Sequence, residues 1–520
     1  MYPENHLLKT PLAEIWKKIG IYPHHGIVVP LFSLHSKDSL GIGEFFDLMP
    51  LIDWLSMIGM DTLQLLPIND TGDDASPYNQ ISSCALNPLY IRLSELPKVH
   101  YHAPHIKALQ ELNLTERVDY VAVKHHKMAL LWQCYKEVFP EFRKETAYQT
   151  FCDANSWVEE YGLYKALKNH GELRKIPDRE LFHYIKKYDE EINFHSFLQF
   201  HAYEQMKLVK AYAEKRKVFL KADIPILVSP DSVDYWFYNE IFVSNYVAGS
   251  PPDFFNERGQ NWNLPIFNWD AIKNTDYAWW RQRLNAAEEC FHIYRIDHII
   301  GFFRIWGIPE GKDTLQGNFI PTNRYLWPFQ GKEHLEKIIS LTSLLPIGED
   351  LGAVPQEVRP LLQELGICGT KVVRWEKYWD EDSTFIPLEA YEPISLTTLT
   401  NHDIEVLAEW WEKFPEDAEE FCQLMNWPYE KTLSFETRLK LLKAAHKTPS
   451  LFHVNPLQEY LALIPELVRS PKEERINTPG TIGKENWSYR FIPKVEEILS
   501  HPELFQQMRE ILSDNSANMR

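Results

Sequence analysis

Short apolar runs alternate along this chain with longer stretches of helical composition. GIVVPLF (26–32), DTLQLLP (61–67), VFLKADIPILV (218–228), FHIYRID (291–297), LLPIGED (344–350), GTKVVRW (369–375) and SLTTLTNHD (395–403) predict strands. Between the first two, FFDLMPLIDWLSMIG (45–59) predicts a helix in spite of Pro50. NFHSFLQFHAYEQMKLVKAYAEKR (193–216) contains neither Gly nor Pro and predicts another from length and propensity. Such alternation is the pattern of parallel strands joined by helices.

Two stretches interrupt it. Residues from about 100 to 195 carry little strand signal, and Trp157, Tyr161, Tyr164 and Leu167 recur at helical spacing, which predicts a helical insertion. Residues from about 230 to 270 are rich in Pro, Asn and aromatics and are too long for an ordinary connection. Long loops on a rigid scaffold commonly carry binding function, which is the expectation for this insertion. No internal repeat, low-complexity tract or long Gly/Ser linker divides residues 1–520, which are read as a single domain with these insertions.

The polar residues sit at telling places in this pattern. Asp223 lies within the third run, Asp297 closes the fourth, Glu349 and Asp350 the fifth, and His402 and Asp403 the last. In a parallel barrel the active site is assembled at the C-terminal ends of several strands. A single acidic residue at a strand end is most simply a helix N-cap or an ion-pair partner, and Asp350, just before a Pro-initiated helix, suits the N-cap role. Glu349 suits it poorly, because its neighbour already supplies the cap. Arg295 cannot shed its charge, and it shares a strand face with Asp297 two residues on, so the arginine is expected to keep Asp297 ionised. His298 and His402, taken alone, read equally as satisfied core histidines.

Composition narrows the partners. A net charge of −19, with no Lys/Arg-rich block, argues against nucleic acid or an anionic membrane surface and leaves a neutral substrate as the simplest fit. The six cysteines show no pairing rhythm and no zinc spacing. The first residues contain no apolar signal region, and no apolar run is long enough to span a bilayer. Together these point to a reduced, cytoplasmic protein. Phosphate-loop, dinucleotide, GxSxG and HExxH patterns are missing. What remains is a set of carboxylates with His and Arg, which suits acid/base and covalent chemistry on a neutral substrate. Glycosyl transfer needs one ionised and one protonated carboxyl of this kind.

With their contexts, these residues resemble the 4-α-glucanotransferase (amylomaltase, or disproportionating-enzyme) family. The likeness runs through GIVVPLFSL…GIG, SPYNQISSCALNPLYI (76–91), KADIPILVSPDS (221–232), GSPPDFFNERGQNW (249–262), YRIDHIIGF, IGEDLGAVP, NHD and ERINTPGTIGKENWSYR (474–490). The resemblance implies a TIM (β/α)8 barrel with largely helical insertions and a retaining double displacement on maltooligosaccharide or glycogen-type glucans, without a metal or organic cofactor. It implies Asp297 as nucleophile, Glu349 as general acid and base, and Asp403 as the carboxylate that clasps sugar hydroxyls. Arg295, His298, His402 and Asp223 become supporting groups around the reacting sugar. Ser76, Tyr78 and Asn87 fall in a substrate-contacting early loop, and Pro252 and Trp262 in a loop over the site. The chain departs from the family at Asn401, where Thr is usual, at Ile404, where Asn is common, and at Asn263, where Gly is common. An α-glucan hydrolase of α-glucosidase or amylase type, on the same barrel, is the alternative reading.

Overall fold

The computed structural model describes residues 3–98, 103–174, 176–252, 257–379 and 381–513. In chain order its strands are β1 His24–Val29, β2 Thr62–Leu65, β3 Phe219–Ile224, β4 Phe242–Ser250, β5 Gln260–Phe267 and β6 Ile293–Ile296. They continue as β7 Ile305–Pro309, β8 Asn318–Ile320, β9 Leu345–Gly348, β10 Gly369–Val372, β11 Ser395–Thr398 and β12 Phe452–Pro456. Eight of them form one parallel sheet in the order β10-β11-β12-β1-β2-β3-β6-β9. Its two edges meet through a parallel bridge between Ile347 and Cys368, where the Gly348 N–H donates to the Cys368 carbonyl at 2.8 Å. The sheet is therefore a closed (β/α)8 barrel without free edges.

Each of the seven expected strands is present, trimmed at one or both ends. VFLKADIPILV reduces to Phe219–Ile224 and SLTTLTNHD to Ser395–Thr398. The residues lost from the C-terminal ends become the turns that carry the polar groups described below. The eighth strand, β12, was not expected. Its sequence FHVNP holds a His, an Asn and a Pro, yet every residue is buried between β11 and β1. Asn455 is tolerated there because its amide oxygen accepts the Leu399 N–H at 2.8 Å and its NH2 reaches the Tyr460 hydroxyl at 3.1 Å. Hydrogen bonding to distant residues of this kind leaves no periodic trace in the sequence.

The helix expected at 45–59 is Leu48–Ile58; Pro50 falls in its first turn, where no N–H is required, and Gly59 ends it in the left-handed region at φ 96°. Between β2 and β3 stand the helices Ala103–Leu112, Tyr120–Phe142, Thr146–Ala154, Trp157–Asn169 and Asp178–Lys187, followed by Asp189–Lys215. The stripe of Trp157, Tyr161, Tyr164 and Leu167 is buried, as its spacing predicts. Residues 230–270 differ from a helical insertion. Here β4 and β5 pair antiparallel and are joined by β7 and β8 in a four-stranded sheet of order β5-β4-β7-β8. Long exposed stretches of β4 and β5, with register shifts, break the alternation by which a strand is recognised. This sheet is entered from the C-terminal ends of β3 and β6, so it stands on that side of the barrel.

Candidate active site

The site grows from the register of three adjacent strands. Asp223 on β3 lies opposite Arg295 on β6, and Arg295 lies opposite Ile347 on β9. Side chains opposite one another share a face, so one Arg295 guanidinium nitrogen reaches Asp223 at 2.7 Å and Asp297, two residues on, at 2.8 Å. Its other terminal nitrogen stands 3.9 Å from Glu349. The ladder continues one residue past the strands: the Asp297 N–H donates to the Ile224 carbonyl at 3.1 Å, and the Glu349 N–H to the Ile296 carbonyl at 2.9 Å. Both carboxyls thus project from backbone fixed by the barrel.

His298 has φ 48° and ψ 54°, a left-handed conformation that a non-glycine residue adopts at a cost of about 1 kcal/mol. The turn aims its N–H at Glu349 Oε2, 2.8 Å away, while the Leu351 N–H donates to Oε1 at 3.0 Å. The His298 ring meets the Trp262 indole edge-on at 4.9 Å between centroids. Burial, then the charges of Arg304 and Arg295, hold the His298 imidazole down at about 4, so it is neutral at pH 7.

Burial raises the pKa of both Asp297 and Glu349; the charges of Asp223 and Asp403 add to the rise at Asp297, and that of Asp297 adds to the rise at Glu349. The environments are nevertheless unequal. Glu349 is more enclosed (side chain 13% exposed, against 28% for Asp297) and farther from the guanidinium, and it is pushed up to about 7. Asp297 is in direct contact with Arg295, which opposes the effect of burial. Of the two, Glu349 is the carboxyl favoured to hold a proton, and Asp297 is the one with a direct counter-ion.

Asp403 is held differently. Its N–H donates to the Asn401 side chain at 2.9 Å, and one carboxylate oxygen accepts from the Asn477 amide at 2.7 Å. The other oxygen lies 3.0 Å from His402 Nε2. Burial works to raise its pKa, but His402, the Asn477 hydrogen bond and Arg295 outweigh this and take it down to about 2. The His402 ring stacks on Tyr78 at 5.1 Å, with Trp487 against both. The Tyr78 hydroxyl donates to the second oxygen of Asp223 at 2.8 Å, so both oxygens of Asp223 are engaged.

Asp223, Arg295, Asp297, His298, Glu349, His402, Asp403, Tyr78 and Trp262 are thus brought into one connected group. Ser76 is two residues from Tyr78, and its N–H donates to the Asp74 carboxylate at 2.8 Å. Asn87 is buried and caps the short 3-10 turn Pro88–Tyr90 through a bond from the Leu89 N–H at 3.0 Å. Pro252 is exposed just after β4, and residues 253–256 of its loop lie outside the described residues. Asn477, Arg475 and Trp487 belong to the site although no role was read for them. They come from the 474–490 stretch, whose likeness to the family was the available signal. Asp350 is not a helix N-cap. It is buried at the base of β10, where it accepts from the Thr370 N–H at 2.6 Å and from Arg359 at 3.0 Å. Burial raises its pKa to about 6.

Two carboxyls set about one guanidinium, one in direct contact with it and the other raised to about 7, with a third carboxylate fixed in the same group, can carry out nucleophilic attack with proton donation. A family model described as 4-alpha-glucanotransferase matches residues 29–494. A 4-alpha-glucanotransferase of Chlamydia pneumoniae is 45% identical over 97% of this chain and 98% of its own length. One from Thermus thermophilus is 30% identical, covering 83% of this chain and 87% of that protein. Among solved structures, the amylomaltase of Streptococcus agalactiae in complex with acarbose superposes with a TM-score of 0.80 at 26% identity, over 95% of this chain and 99% of the other.

Proposed function

We propose, for a chain that belongs to the 4-α-glucanotransferase family, a retaining transfer in which Asp297 attacks the anomeric carbon and Glu349 protonates the departing glycosidic oxygen. The bond from the anomeric carbon to the leaving 4-oxygen breaks as the Asp297 ester forms. Glu349, now ionised, takes the proton of an incoming 4-hydroxyl, and that oxygen displaces Asp297. Asp403 holds sugar hydroxyls and stabilises the cationic transition state, with Arg295, His402 and Tyr78 fixing the carboxylates. The observation that carries this reading is the unequal pair on Arg295: Asp297 in direct contact with the guanidinium and a Glu349 raised to about 7.

The substrates in this reading are maltooligosaccharides and glycogen-type α-1,4-glucans; the acarbose complex of the Streptococcus agalactiae amylomaltase supports an oligosaccharide. A cytoplasmic location belongs to the same proposal and is supported by six unpaired cysteines, five of them buried. Among the described residues no helix is long and apolar enough to cross a membrane.

Incubation with pure maltotriose tests the activity. Transfer makes chains longer than the starting trisaccharide together with shorter ones. A product mixture containing only shorter sugars identifies a hydrolase instead.

A further inference from the structure

At the opposite end of the barrel from the carboxylates, three histidines converge where the first and last barrel strands meet. His25 on β1 and His453 on β12 are register partners, and their rings stack at 4.8 Å. His446, the last residue of the helix Phe435–His446, completes the group. All three are buried, and among the described residues theirs is the group of donors close enough to hold a metal ion, with one ligand atom from each within 4.8 Å of the others.

The hydrogen bonding around them holds the rings in place and leaves two enclosed ring nitrogens without a partner. His453 Nε2 faces the Thr448 carbonyl at 3.1 Å, and a carbonyl only accepts, so this nitrogen carries the proton and Nδ1 keeps its lone pair. His453 Nδ1 is enclosed and makes no hydrogen bond of acceptable geometry, and the same is true of His25 Nε2. His446 Nε2 is orientated by the Tyr460 hydroxyl at 2.6 Å, while its Nδ1 lies 2.8 Å from His25 Nδ1. A helix C-terminus favours a cation at His446, and Asp61, 2.7 Å from the adjacent His24, supplies negative charge nearby. Burial holds all three imidazoles below their usual pKa, so they are neutral and able to ligate at pH 7.

We propose that His25, His446 and His453 bind a zinc-type divalent cation as a structural clip across the β1–β12 seam. Zinc–nitrogen bonds of about 2.0–2.1 Å place ligand atoms roughly 3.3 Å apart, so the widest separation closes by rotation of the rings. The clip joins residues more than four hundred positions apart, tying the chain's early and late segments together at a face remote from sugar chemistry.

The test loads the chelator-stripped full chain with Co2+ or Zn2+, both by prolonged incubation and by refolding from denaturant, then desalts it and measures metal content, the visible spectrum and Tm. Expected are about one ion per chain, cobalt bands of a nitrogen-ligated low-symmetry site, and a Tm raised by several degrees over the stripped protein. His446→Gln and His453→Gln, checked for folding by circular dichroism and maltotriose transfer, are expected to lose the ion and the Tm response. His126→Asn, in the surface pair with His105, is expected to keep both. Sub-stoichiometric metal after both loading routes overturns the proposal. So does full loading of the folded His446 and His453 variants.

Discussion

The backbone N–H of His298 donates to the Glu349 carboxylate at 2.8 Å from a residue held in the left-handed region. That bond and the one from Leu351 favour the ionised acid, yet Glu349 is raised to about 7 because burial and the neighbouring Asp297 outweigh them. With Glu349 as the proton donor, turnover declines above neutral pH with a midpoint near 7. Glu349→Gln is expected to lower kcat on natural glucans by about 10²–10⁴ and to abolish that limb. A glucosyl donor whose leaving group needs no proton is largely spared at the first step. Equal losses on both donor types would show that Glu349 does something other than protonate the leaving oxygen.

Asn477 donates to Asp403 at 2.7 Å, from a segment more than seventy residues further along the chain. Hydrogen bonds to charged groups contribute about 1.5–3 kcal/mol, so Asn477→Ala is expected to reduce kcat/KM roughly 10- to 100-fold. Asn477→Asp sets a second negative charge against Asp403 and is expected to be worse than Ala. Steady-state kinetics on maltotriose rank the two; Asp matching wild type would remove Asn477 from the positioning of Asp403.

The barrel strands were legible because apolar runs of strand length bounded by helical stretches have few other readings, and Arg295 with Asp297 were legible because period two places them on one face. β12 was not, since His453 and Asn455 are buried only by virtue of partners brought in from elsewhere. The antiparallel sheet of β4, β5, β7 and β8 was hidden by bulges and exposed faces. Asp350 misled for a related reason: an acidic residue before a helix reads as a cap, whereas the contacts that claim it, Thr370 and Arg359, are fixed only when β9 and β10 close the barrel. Asn477 and Trp487 carry no periodic or spacing signal at all, and likeness alone pointed at their segment.

Asn401 accepts the Asp403 N–H at 2.9 Å through its side-chain oxygen. A threonine hydroxyl can form the same kind of turn, more weakly. Asn401→Thr is therefore expected to retain activity within a few-fold, and Asn401→Ala to fall further through a loosened Asp403. An alanine variant as active as the threonine one would leave the turn without a role in positioning the carboxylate.

Stability is expected to fall steeply in mild acid because of histidines outside the site. Burial is the main cause that holds His195 and His334 at about 3 and His201 at about 4, all below the value near 6.5 of an unfolded chain. Between those values the unfolded state binds protons that the folded state refuses. Stability from this source is therefore complete above pH 6.5 and is lost as pH falls towards 4. Each such histidine contributes at most about 1.4 kcal/mol per pH unit within its window. His195 packs against Tyr161 with its Nδ1 buried and unbonded, so a phenyl ring can take its place with little polar loss. His195→Phe is expected to flatten the pH dependence by about one proton while preserving stability at pH 8. Urea titrations at half-unit intervals from pH 8 to 4.5 give the slope; a wild-type curve flat across that range contradicts the assignment of neutral buried imidazoles.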